Sequence, residues 1–144
     1  MKLFSDDIQN ILPHRAPFVA VERALELKPG QQIVALKALS AGEFLGQGQD
    51  GWPPVLLIEA MAQAGRLAAS TGTVAEGRRG YLVSIEDFQV IQPARWGDLL
   101  RLEVQVVPHR SGFIRVLGQV RTEEHLVAKG ELILSMPRGN DGNC

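Results

Sequence analysis

The sequence predicts an α+β fold in which an antiparallel sheet packs against one long helix. Three observations carry that prediction. The stretch PVLLIEAMAQAGRLAAS at 54–70 is long, rich in helix formers and free of internal proline. Six other stretches are rich in aliphatic and β-branched residues, mostly alternate, and are separated by turn residues. Their order, two strands, then the helix, then four strands, suits one helix set against one sheet.

The elements follow in turn. SDDIQNIL at 5–12 forms a short helix, with Ser5 or Asp6 as cap and Ile8, Ile11 and Leu12 on one face. Pro13 and Pro17 end it and begin an extended segment. PFVAVERALEL (17–27) and QQIVALKAL (31–39) read as strands joined by a turn at Lys28, Pro29 and Gly30. The helix at 54–70 has Pro53 and Pro54 to open it and Gly72 to close it. GYLVSIEDFQVI (80–91), LLRLEVQVVP (99–108), GFIRVLGQVRT (112–122) and HLVAKGELILSM (125–136) are the remaining strands. Turns fall at 93–97, 108–112 and 122–124. The expected organisation is one domain at 1–136 and a flexible polar tail, PRGNDGNC, at 137–144. Along the helix, Ala60, Ala62, Ala64, Gly65, Ala68 and Ala69 are small, which favours helix and also lets a curved sheet come close.

Composition narrows the function. The 144 residues suffice for one core, and 45% hydrophobic against 22% charged residues is too apolar for a disordered chain. A net charge of −1 offers no field for nucleic acid or an acidic membrane. The single cysteine, Cys144, excludes an intrachain disulfide and fits a reducing, cytoplasmic setting. MKLFSDDIQN lacks the apolar stretch of a signal segment, and the run at 52–65 is interrupted by Glu59 and too short to span a bilayer.

Glu59, Gln63, Arg66 and Ser70 fall at helical spacing and draw one polar stripe on an otherwise apolar helix. The plainer expectation is a solvated face. The sharper one starts from Leu56, Leu57, Ile58 and Met61 around Glu59: a carboxylate among such neighbours is partly desolvated, which raises its pKa and suits it to proton transfer.

IEAMAQAG, with ILPHRAPFVAVERALEL before it and ARWGDLLRLEV after it, resembles the β-hydroxyacyl-acyl-carrier-protein dehydratases of fatty-acid synthesis. The resemblance is collinear over 8–135. It implies the hotdog fold, a long helix wrapped by an antiparallel sheet, paired into a homodimer or a higher or mixed assembly with active sites at the interface. It also implies a reaction that uses no cofactor. In that family a histidine in a Gly-His-Phe-Pro segment removes the α-proton of an acyl thioester, and a helix glutamate helps the β-hydroxyl leave as water. Glu59 matches the glutamate. Gly46-Gln47 is the nearest match to Gly-His, with a loop that is about two residues shorter, so that Gln49 or Leu45 stand as alternatives to Gln47. None of the three is a base, and loss of a positioned general base costs about a hundred- to ten-thousand-fold in rate. The family's Pro-Gly at the helix start is Pro53-Pro54 here, which removes one backbone donor and leaves the N–H groups of Val55 and Leu56 for a thioester oxygen.

The resemblance therefore implies a site with Glu59 and Gln47 as catalytic candidates and Val55, Leu56, Gln63 and Trp52 for substrate. His14, in LPHR, is read as structural, and His109 and His125 as surface residues. The three lack metal-ligand spacing, so that no metal site is expected. Arg15, Arg78, Arg79, Arg95 and Arg110 are surface candidates for docking an acidic acyl-carrier protein, and Trp52 and Trp96 for lining an acyl tunnel or the core. Three readings stand at this point. The chain is a dehydratase-like lyase on acyl-carrier-protein or coenzyme A thioesters, with Glu59 performing both proton steps. It is a thioesterase that pairs Glu59 with a loop glutamine. Or it is non-catalytic: an acyl-thioester binder, or the inactive half of a mixed hotdog dimer whose partner supplies the histidine.

Overall fold

In the computed structural model, which describes residues 21–41, 50–70 and 81–136, the predicted strands form one antiparallel sheet. The elements are β1 (Arg23–Lys28), β2 (Gln32–Ala38), β3 (Gly51–Trp52), α1 (Pro54–Ser70), β4 (Tyr81–Val90), β5 (Ala94–Arg95), β6 (Leu99–Arg110), β7 (Phe113–Arg121) and β8 (Leu126–Ser135). The sheet runs β1-β2-β6-β7-β8-β4. Alternation sets its register. Ile33 opposes Val104 and Ala35 opposes Leu102, and all four are buried on the face that receives the helix.

The helix lies mainly across β6, β2 and β7. Its small residues allow a close approach: a side chain on Gly65 would begin 2.7 Å from Val116 Cγ2. The Gly30 N–H of the β1–β2 turn donates to the Ala68 carbonyl at 2.7 Å and satisfies one of the last-turn acceptors. Residues 60–68 are all buried, so α1 is enclosed all round rather than on one face.

Two features differ from the sequence expectation. β3 and β5 pair as a separate two-stranded ladder, Gly51 with Arg95 and Trp52 with Ala94, where only a turn is expected at 93–97. Two residues are too few to leave a periodic signal, but Gly51 records the contact, because a Cβ there would lie 1.9 Å from the Ala94 carbonyl oxygen. The turn expected at 108–112 is also narrower. Pro108 and His109 continue β6, and the chain reverses at Ser111 and Gly112. Val106 donates to the Gln31 carbonyl at 2.8 Å, and Pro108, two residues on, points the same way past the end of β2. Its missing N–H therefore leaves no ladder bond unmade. The expected helix at 5–12, the strand residues 17–20, Gly72 and the tail 137–144 lie outside the described residues.

The two edges of the sheet are unlike. β1 has six residues, a register shift between Ala24 and Glu26, and exposed charges at Arg23, Glu26 and Lys28. β4 has ten residues and exposes Tyr81, Val83, Ile85 and Val90.

Candidate functional site

Helical spacing puts Glu59, Gln63 and Arg66 on one side of α1, and their side chains meet. Gln63 Nε2 donates to Glu59 Oε1 at 3.2 Å, and Arg66 Nη1 stands 3.7 Å from the same oxygen. Gln63 is fully buried and the Arg66 side chain is 7% exposed, whereas the Glu59 side chain keeps 36%. The stripe is thus not a solvated face. It is a buried polar row with one carboxylate at its rim, and helical spacing alone does not tell the two apart. The apolar sequence neighbours of Glu59 argue for desolvation, but its spatial neighbours include the Gln63 amide and the Arg66 guanidinium.

Arg66 carries the cost of this arrangement. Its Nε and Nη1 are buried without a hydrogen-bond acceptor. Burial pushes its guanidinium below the ordinary arginine value, and the charge and hydrogen-bonding capacity of Glu59 push back. Each unmade buried hydrogen bond costs about 1–3 kcal/mol, so the position is poor if judged by stability alone.

The start of the helix is shaped by β3 and β5. Together with 90–93 they line an open cleft of about 610 Å³ whose wall includes Trp52, Pro53, Pro54, Leu57, Ile91 and Arg95. Trp52 is 3% exposed, and Lys37 Nζ sits 5.5 Å from its ring centroid. Lys37 is itself buried and pairs with Glu22 at 3.2 Å, and Glu22 also accepts from the Ala38 N–H at 3.0 Å. The sequence reading missed Lys37. Its signal was its phase, since it follows Ile33 and Ala35 on the inward row of β2.

The other expected residues fall as follows. Val55 is 65% exposed at the mouth of the helix. The Leu56 N–H is not a free donor, because it closes a turn onto the Pro53 carbonyl at 3.0 Å. Val55 is left as the first-turn donor that the sequence anticipated. Gln47, with Gln49 and Leu45, lies outside the described residues, as do His14, Arg15, Arg78 and Arg79. His109 is exposed on β6 and pairs with Arg115 Nη2 at 3.2 Å, and His125 sits in the β7–β8 turn, where its N–H donates to Thr122 Oγ1 at 3.2 Å. Arg95 and Arg110 are exposed, and Trp96 packs half-buried against the core. No described helix is long and apolar enough to cross a membrane.

A model of the ApeP-like family, described as ApeP dehydratase, matches residues 6–143. The chain belongs to the ApeP-like dehydratases. This ApeP-like chain is similar to the 3-hydroxyacyl-[acyl-carrier-protein] dehydratase FabZ of Syntrophomonas wolfei subsp. wolfei, with 35% identity over 140 residues, 94% of this chain and 97% of that one. FabZ of Symbiobacterium thermophilum is 38% identical over 126 residues, 85% of this chain and 89% of that one. Among solved structures, the dehydratase heterocomplex ApeI:P from Xenorhabdus doucetiae contains a chain that superposes with a TM-score of 0.73 at 21% identity, over 91% of each chain. The shared fold is the hotdog, with α1 as its central helix and β1-β2-β6-β7-β8-β4 wrapped around it.

Proposed function

We propose that this ApeP-like dehydratase removes water from a β-hydroxyacyl thioester, held on acyl-carrier protein or coenzyme A, with Glu59 as its acid–base group. One observation carries the reading: Glu59 is the half-exposed member of a polar row whose other members are buried behind it. The molecule thus offers one carboxylate outward and spends two further polar residues on holding it.

The ionised Glu59 takes the α-proton of the thioester, and the carbon–hydrogen bonding pair becomes the new double bond as the β-hydroxyl departs. Glu59 returns the proton to that hydroxyl, which leaves as water, and the carboxylate is regenerated. The Val55 N–H, at the positive end of the α1 dipole, faces the thioester oxygen as it gains charge. Trp52 and its cleft receive acyl-chain atoms. Gln47, as an amide, orients the substrate or a water. Gln63 acts on Glu59 and not on the substrate, because it is fully buried and already donates to the carboxylate. The decisive experiment incubates the purified protein with a β-hydroxyacyl-acyl-carrier protein and follows product mass beside Glu59→Gln. Loss of one water that the variant abolishes supports the reading. A released free acid and carrier thiol would make the chain a thioesterase.

A second reading is favoured by the exposed apolar edge of β4 together with the lack of any histidine at 42–65. In it, β4 pairs with a second hotdog chain that brings the missing base. An intact substrate with the protein alone, and turnover once a histidine-bearing hotdog subunit is added, would select it.

A further inference from the structure

We infer that Arg66 is a positioning residue whose buried charge keeps Glu59 ionised and so makes it a base at the start of the reaction. The inference rests on the reading of Glu59 as the acid–base group and says how that group is prepared.

The geometry divides the work between two partners. Gln63 makes a hydrogen bond to Glu59 Oε1 at 3.2 Å and so fixes the direction of the carboxylate. Arg66 stands 3.7 Å from that oxygen, and its Nη1 has no hydrogen-bond acceptor, so what it supplies is charge across a short gap. Arg66 lies behind Glu59, since it is almost closed to solvent while Glu59 is partly open. A substrate that reaches Glu59 from outside therefore does not touch Arg66.

Arginine suits this task because its guanidinium stays protonated even when burial works against it. Burial works against it here, and the charge of Glu59 is what opposes the loss. The arrangement is costly for the fold, with two buried N–H positions unsatisfied on a helix of mostly small and apolar residues. A cost placed two helical turns along from a candidate base is explained if the charge serves that base. No other described group competes for the role. Lys37 is the one other buried cation among the described residues, and it is committed to Glu22. On the outer face of the sheet, Arg101 pairs with Glu103 and Arg115 with Glu131, while Glu86 and Asp87 of β4 are exposed.

The test titrates the Glu59 carboxyl carbon by NMR in protein with labelled glutamate, with the signal assigned through Glu59→Gln. In Arg66→Met the midpoint is expected to rise by about one to three pH units, and Arg66→Lys is expected to return most of that shift. The Arg66→Met melting temperature is expected to be unchanged or higher, because an apolar chain replaces a charge with unmade bonds. An unchanged midpoint in Arg66→Met would overturn the inference. An equal rise in Arg66→Met and Arg66→Lys would overturn it as well, since repacking and not charge would then be the cause. If Arg66→Met fails to fold, Arg66→Gln against Arg66→Lys makes the same comparison. Turnover is a separate reading. Where dehydration is observed, the acid limb of kcat/KM is expected to move with the NMR midpoint, and where it is not, the midpoint alone decides the role of Arg66 and the reaction proposal fails by itself.

Discussion

The sheet-facing side of α1 and the side that carries Glu59 are both enclosed, for opposite reasons. On the first, Ala60, Met61, Gly65 and Ala68 are buried in a core shared with Val104, Val116 and Leu132, and stability comes from apolar area and close contact. On the second, Gln63 and Arg66 are equally buried, Gln63 donates to Glu59, and two positions on Arg66 have no acceptor. The first side would be chosen by a protein that only had to fold. The second is explained, on the proposal made above, by what it does to Glu59.

That contrast can be broken from either side. The largest effect is expected at the carboxylate itself: Glu59→Gln should lower dehydration by about a hundred- to ten-thousand-fold, and it should also lower the melting temperature, because the buried charge of Arg66 loses its partner. A variant as active as the parent would reduce the polar side to packing. Next comes Met61→Ala on the sheet side, which should cost about 2–5 kcal/mol in chemical denaturation, because Met61 is fully buried. A cost below 1 kcal/mol would mean that this side is not the stabilising one. The smallest effect belongs to a polar network outside the helix. Glu103 on β6 accepts from Gln119 Nε2 at 2.6 Å and from Arg101 Nε at 2.9 Å, and the Gln119 bond leads in holding its carboxyl below the ordinary glutamate value. A lowered folded-state value stabilises above the unfolded pKa and loses that contribution as pH falls through the folded one. Glu103→Gln should therefore cost less than about 1 kcal/mol at neutral pH, with the gap closing below about pH 4. A gap that widened in acid would mean that folding raises the Glu103 carboxyl instead of lowering it.

Much of this was legible in the residues. Both ends of α1 and the four strands that follow it could be read from alternation and from Pro and Gly at their boundaries, because those signals are local. Glu59 was legible because a family motif surrounds it. What escaped was set by distance in sequence. Lys37 looked like a strand lysine until Trp52 and Glu22 were placed beside it. The β3–β5 ladder joins Gly51 to Arg95, and no local pattern announces two paired residues. The burial of Arg66 escaped because helical spacing gives an angle around an axis and says nothing about what covers that angle.

Among the described residues β4 is an edge strand, and a second chain paired with it would turn the stability of this protein into a question of mass action. A strand of ten residues with Tyr81, Val83 and Ile85 turned to solvent is unlike the short, charged β1, and a second chain laid along it would complete the ladder and cover the apolar row. Folding is then linked to association, so the melting temperature should climb with protein concentration and fall on dilution. Ile85→Lys should abolish that dependence. A melting temperature that ignores concentration would mean that this flank stays bare.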